Sequence, residues 1–129
     1  MKRHLLSLAV LTIFVLLNTQ TVDAQNWTRF RGPNGQGAIE AKFPGEWTEK
    51  NVAFKIELPG EGHSAPAIWG NKLFILSADR ATAERFMLGI DATTGKTLWK
   101  RSYDSEEHRL HIRSSYASCS PPVDADHVY

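Results

Sequence analysis

The sequence predicts an all-β fold built from short antiparallel strands. Three features support this prediction: short apolar runs between turn residues, turn signals that recur about every 8–12 residues, and a residue pattern that occurs twice along the chain. Repeats of about 40–50 residues with four strands each are typical of β-propeller blades. We therefore expect β-propeller blades of four antiparallel strands, as an incomplete propeller of one full blade plus parts of its neighbours.

Composition excludes several classes of protein. The chain has 129 residues, of which 22% are charged and 10% aromatic, and this balance excludes a disordered chain. Its single cysteine excludes an intramolecular disulfide framework and a zinc site of four cysteines. A formal net charge of +1 argues against a nucleic-acid partner held by bulk positive charge.

Residues 1–24 have the organisation of a signal peptide. Lys2 and Arg3 precede the uncharged apolar run Leu5–Leu17, and small residues end the segment at Ala24. The apolar run is shorter than the about 20 residues that span a bilayer, so we expect no transmembrane segment after cleavage. The alternative is a retained buried helix. The signal predicts a periplasmic or secreted protein.

In such an oxidising compartment Cys119 is either buried or available for an intermolecular bond. We expect it to be buried, because free cysteine behaves as a small hydrophobic residue.

Residues 25–50 are predicted to form an extended N-terminal arm. Glycine and proline are frequent in this segment and disfavour a helix. Four aromatic residues are expected to fasten the arm to the rest of the protein: Trp27, Phe30, Phe43 and Trp47.

Residues 51–129 are predicted to contain the repeats, as strands joined by tight turns. Residues 51–58 alternate between apolar and other side chains, which predicts a half-buried strand. Its apolar face carries Val52, Phe54, Ile56 and Leu58. Four further strands are expected at residues 65–69, 73–76, 86–90 and 97–100.

The segment Asp91–Gly95 (DATTG) is the most diagnostic turn. An aspartate can accept hydrogen bonds from backbone N–H groups two or three residues further on. Gly95 can supply the positive φ that other residues resist. We expect this turn to close a hairpin with a bulge.

An internal repeat relates two proline-bearing segments of the chain, residues 63–74 and 118–129. In this alignment Pro66 corresponds to Pro121 and Phe74 to Tyr129, so both pairs have the same separation. A second match relates Phe54 to Trp99 at a shorter separation. Because the two separations differ, an insertion is expected at residues 104–115 (DSEEHRLHIRSS), which we call the insert loop.

The repeat resembles that of the pyrroloquinoline quinone (PQQ)-repeat, or quinoprotein-like, β-propellers. The string LGIDATTGKTLWK at residues 88–100 is similar to their pattern of an apolar strand followed by Asp-Ala-x-Thr-Gly-x-x-x-Trp. The segments SAPAI at residues 64–68 and SPPV at residues 120–123 resemble their blade-opening strand. Residues 26–37 are similar to the N-terminal arm of secreted bacterial members. The resemblance implies structural turn and blade-docking roles for Asp91, Thr94, Gly95 and Trp99.

The resemblance leaves two functions open. Many members bind no quinone and act as scaffolds, which implies a non-catalytic protein that binds protein partners through its propeller loops. The alternative is a PQQ- and Ca²⁺-dependent alcohol or sugar dehydrogenase whose catalytic residues lie outside this chain. One large class of those enzymes uses a pair of adjacent cysteines, and here Cys119 stands alone. We favour the scaffold, with PQQ and Ca²⁺ expected only under the alternative.

Two motifs carry weaker functional signals. His108 and His111 have the i, i+3 spacing of a metal pair on a helix, but they lie in a charged segment that favours a solvated loop. The segment around Ser64 approaches the Gly-x-Ser-x-Gly motif of hydrolases, with Pro66 in place of the last glycine. A strand is expected after Ser64 where that motif needs a helix.

Overall fold

A computed structural model describes residues 26–41 and 43–129 of the chain. The predicted signal peptide at residues 1–24 lies outside the described residues. A single turn of 3₁₀ helix spans Glu49–Asn51, and four strands follow: β1 (Ala67–Trp69), β2 (Lys72–Ala78), β3 (Arg85–Asp91) and β4 (Thr97–Tyr103). The protein is therefore all-β across the part of the chain that the structure describes.

The four strands form one antiparallel sheet in the order β1-β2-β3-β4. Each strand pairs with its successor along the chain, because short turns join them. Each of the four strands predicted between residues 65 and 100 occurs, and β2, β3 and β4 extend beyond their predicted limits. The register of β3 with β4 shifts between Gly89 and Ile90, which places a β-bulge in β4 at Leu98, a residue without a partner on β3.

The sheet buries side chains on both faces, since alternate residues of a strand point to opposite sides. One face contributes Ala67 and Phe74 to a core with Val123, and Trp69, Trp99 and Val128 pack against it. The opposite face carries Phe86, Leu88 and Ile90, and Ile56, Leu58, Leu73 and Ile75 pack against that core. Phe86, Leu88 and Ile90 occupy alternate positions of β3 and therefore share this second face.

The strand predicted at residues 51–58 is absent as a paired strand. Asn51 ends the 3₁₀ turn, and residues 53–58 have no backbone hydrogen bond to another described residue. The alternation is nevertheless present, because Phe54, Ile56 and Leu58 are half-buried while Lys55 and Glu57 are exposed. Val52, which was expected on the same face, is 51% exposed, so that part of the prediction is wrong. The alternation indicates a buried face at residues 54–58, but a strand also needs a hydrogen-bonding neighbour.

Most of the aromatic residues expected to fasten the arm do not do so. Phe30, Phe43 and Trp47 are each more than 60% exposed. Trp27 alone of the four is half-buried, and its backbone forms an antiparallel bridge with Ile68 at the edge of β1. The described arm is thus attached near its beginning and exposes its remaining aromatic side chains.

The described residues include no helix with the length and apolar character that crossing a membrane would require.

Candidate functional site

The β1–β2 hairpin recurs further along the chain. We call residues 67–74 the first hairpin and residues 122–129 the second hairpin. In the first hairpin the Cα partners are Ala67 with Phe74, Ile68 with Leu73, and Trp69 with Lys72. The second hairpin joins Pro122 with Tyr129, Val123 with Val128, and Asp124 with His127. Every pair of the first hairpin therefore has a counterpart at the spacing that the sequence repeat predicts.

The segments that enter the two hairpins lie side by side, and we call this boundary the seam. The backbone N–H of Ala65 donates to Ser120 Oγ at 2.9 Å. The N–H of His63 donates to the carbonyl of Ala117 at 3.0 Å. A Cβ at Gly62 would lie 3.1 Å from the Cβ of Ala117, so the two backbones approach closely there. Direct backbone contact makes the relative placement of the two hairpins specific.

The beginning of the arm binds both hairpins. Trp27 donates to and accepts from Ile68, at 3.0 and 2.7 Å. The next residue, Thr28, accepts a hydrogen bond from Val123 N–H at 2.8 Å. Ile68 and Val123 are equivalent positions of the repeat, so one short segment contacts the same position in each hairpin.

The second sequence match also has a structural counterpart. Trp99 packs with Val128 against the core of the first face. Phe54 and Leu73, which correspond to Trp99 and Val128 in the two alignments, line one apolar cleft of about 160 Å³. The two matched aromatic residues thus lie in comparable apolar surroundings beside the two hairpins.

The Asp91 turn is closed by the aspartate side chain. Asp91 Oδ1 accepts hydrogen bonds from Thr93 N–H at 3.0 Å, and from Thr94 N–H and Oγ1 at 2.8 and 2.9 Å. Asn71 Nδ2, from the neighbouring β1–β2 turn, donates to Asp91 Oδ2 at 3.0 Å. The bonds from Thr94, backbone first, lower the pKa of Asp91. The sequence pattern did not single out Asn71, because a lone asparagine in a turn carries no spacing signal.

Gly95 and Trp99 occupy crowded positions beside that turn. Gly95 has φ of +73°, and a Cβ there would lie 2.6 Å from the ring of Phe54. The Trp99 ring covers Gly89 and lies 5.9 Å from the Phe74 ring, centroid to centroid. Gly95 therefore allows Phe54 to pack closely beside the turn, and Trp99 packs against the core that the sheet forms with Val123.

Asp124 closes the second hairpin in a related way. Its Oδ1 accepts hydrogen bonds from the N–H groups of Asp126 and His127, at 2.9 and 2.7 Å. Tyr129 Oη donates to Asp124 Oδ2 at 2.7 Å, and this bond is the main reason that the pKa of Asp124 is lowered and that of Tyr129 raised. Ionised Asp124 thus stabilises the turn.

The two histidines of the insert loop serve different local contacts. His108 packs edge-on against Tyr116, with ring centroids 4.9 Å apart. His111 Nδ1 accepts a hydrogen bond from Arg113 N–H at 3.2 Å. Across residues 26–41 and 43–129, no group of three or more His, Cys, Asp or Glu side chains is arranged to hold a metal ion.

Ser64 and Cys119 lie near the seam in different environments. Ser64 Oγ accepts a hydrogen bond from Leu76 N–H at 3.2 Å and donates to Ala65 O at 3.3 Å, so it joins the entry segment to β2. The chain continues from Ser64 into β1 and not into the helix that a hydrolase motif requires. Cys119 is exposed, so the expectation that it is buried is wrong. The side chain beside it, Ser120, makes the contact across the seam.

Comparisons of the chain with protein-family models, with curated proteins and with solved structures found no match.

Proposed function

We propose that the protein is an extracytoplasmic β-propeller of the PQQ-repeat type that acts as a non-catalytic binding scaffold. The observation that carries the proposal is the recurrence of the hairpin, with three equivalent cross-strand pairs at the spacing of the sequence repeat. Repeat proteins stack such units so that each unit covers an apolar face of its neighbour. Here the second hairpin covers the face that carries Ala67 and Phe74.

A scaffold function agrees with how the polar side chains are used. The carboxylates of Asp79, Asp91 and Asp124 each bind two backbone N–H groups of their own turns. The Ser64 hydroxyl joins two segments of the sheet region. These groups hold a rigid frame, and the connections between units remain exposed to meet a partner.

The catalytic alternative is tested by a turnover assay. Full-length protein is incubated with PQQ, Ca²⁺, a panel of alcohols and sugars, and a dye that accepts electrons. We expect no substrate-dependent dye reduction above that of PQQ and Ca²⁺ alone. Substrate-dependent reduction would replace the scaffold proposal by a quinone-dependent dehydrogenase.

Export is tested by the N-terminus of the mature protein. This part of the proposal rests on the sequence of residues 1–24. We expect Edman or mass-spectrometric analysis of protein from the producing cell to identify Gln25 as the N-terminal residue. A mature chain that begins at Met1 would contradict export by a cleaved signal.

A further inference from the structure

The insert loop lengthens one connection between repeat units. The segment that joins Phe54 to Pro66 is much shorter than the one that joins the equivalent residues Trp99 and Pro121. The two hairpins that these segments lead into are alike, so the additional residues are not needed to form the second one. Loops on a rigid frame are where binding residues are commonly found.

The insert loop is held in place by Tyr116. The Tyr116 hydroxyl donates to the carbonyl of His108 at 2.8 Å and accepts from His108 N–H at 3.2 Å. A backbone bond of 2.9 Å between Ser114 N–H and His111 O closes the tip. The tip is therefore presented in a defined shape, which lowers the entropy that ordering would cost on binding.

The tip exposes a large apolar side chain. Ile112 is 86% exposed, the highest value among the large hydrophobic residues that the structure describes. Leu110 is half-buried beside it. An aliphatic side chain on a tied loop is suited to insert into an apolar pocket of a partner.

Cationic side chains surround this apolar tip. A groove of about 670 Å³ is lined by Arg80, Arg109, Leu110, His111 and Ile112. Arg80 forms an ion pair with Glu61 at 2.8 Å, and Arg109 forms no ion pair with another described residue. The three acidic residues of the loop, Asp104, Glu106 and Glu107, do not line the groove. The groove thus combines a guanidinium group without a carboxylate partner and an apolar edge.

We infer that the insert loop docks an acidic segment of a partner protein that carries apolar side chains between its carboxylates. Arg109 binds a partner carboxylate through the paired donors of its guanidinium, and Ile112 and Leu110 contact the apolar side chains. This inference rests on the proposed scaffold function and names the surface and the partner chemistry for it.

The test is a fluorescence-anisotropy titration of the full-length protein with labelled ten-residue peptides. The probe alternates Glu and Leu, and matched peptides alternate Lys and Leu or Glu and Ser. We expect only the Glu–Leu peptide to bind well, with affinity that falls as salt increases. Ile112→Ser and Arg109→Gln are each expected to weaken its binding at least about tenfold.

Matched control variants distinguish peptide binding at the insert loop from non-specific binding to other exposed side chains. Val52→Ser removes an apolar side chain that is 51% exposed elsewhere, and Arg31→Gln removes an exposed arginine of the arm; neither is expected to change binding. Absence of Glu–Leu binding, equal binding of the Lys–Leu peptide, or unchanged binding by Ile112→Ser would each overturn the inference. If the peptide experiment fails and the turnover assay shows no dehydrogenase activity, the insert loop is rejected as the docking site but the scaffold proposal stands. Quinone-dependent turnover would instead reject the scaffold proposal.

Discussion

Gly89 lies between Phe74 and Trp99 in a row of paired residues that crosses the sheet. A Cβ at this position would overlap the indole ring of Trp99, which covers the glycine. The absence of a side chain thus allows Trp99 to pack with Phe74 and Val123. At the residue scale, the packing of the sheet against the second hairpin depends on one small residue beside one large one.

Gly89→Ala is expected to destabilise the protein by about 1–3 kcal/mol, the usual cost of overpacking. The measurement is the free energy of unfolding in urea. Gly45→Ala serves as the matched control, because a Cβ at Gly45 has nothing within 4 Å. A loss of stability for Gly45→Ala as large as that for Gly89→Ala would contradict the packing argument.

The hydrogen bonds of Asp91 and Asp124 also predict a pH dependence. Their pKa values are lowered in the folded state from an ordinary 3.8, so the unfolded state binds more protons just below that pH. The contribution of these carboxylates to stability is complete above pH 3.8 and is lost as pH falls through the folded-state values. We expect Asp91→Asn with Asp124→Asn to flatten the fall in Tm below pH 4, roughly the ordinary aspartate pKa.

The control for this measurement is Asp104→Asn, since Asp104 forms no side-chain hydrogen bond or ion pair with another described residue. It is expected to leave the slope of Tm against pH unchanged. An acid profile of the double variant as steep as that of the unaltered protein would show that the two turns are not responsible.

At the scale of elements, local sequence patterns predicted more of the sheet than of its surroundings. Alternation and turn residues located β1 to β4, and the Asp91 turn formed because its hydrogen bonds are local. Residues 53–58 show the limit: their alternation reports a buried face, but pairing depends on a neighbour distant in sequence. The exposure of Trp47 and Cys119 was likewise missed, since hydrophobic character alone does not tell whether another segment covers a side chain.

The packing of residues 53–58 predicts unequal effects of two neighbouring substitutions. Ile56→Ala is expected to cost about 2 kcal/mol, the lower end of the range for buried aliphatic residues, because Ile56 is half-buried against the Phe86 face. Lys55→Ala, on the exposed side, is expected to have little effect. Urea unfolding of the two variants checks this, and equal losses would indicate that the segment is not packed as described.

At the scale of the whole molecule, two related hairpins meet along the seam. The sequence repeat predicted which residues correspond, and the structure gives their pairs the same register. The contacts between the hairpins could not be predicted, because the motifs that contain Ser120 and Thr28 do not indicate which distant backbone group each residue binds. Those contacts determine how one hairpin is placed against the other.

A disulfide across the seam measures this placement most directly. The hydrogen bond of 2.9 Å from Ala65 N–H to Ser120 Oγ makes the two residues close neighbours across the seam, as a disulfide between them requires. Full-length protein carrying Ala65→Cys and Ser120→Cys, with Cys119→Ser to remove the neighbouring thiol, is oxidised in the folded state and mapped by mass spectrometry. We expect a disulfide between positions 65 and 120 in native protein, and much less of it when oxidation is carried out in denaturant. Folded protein that keeps both thiols free would contradict the side-by-side arrangement of the two repeat units.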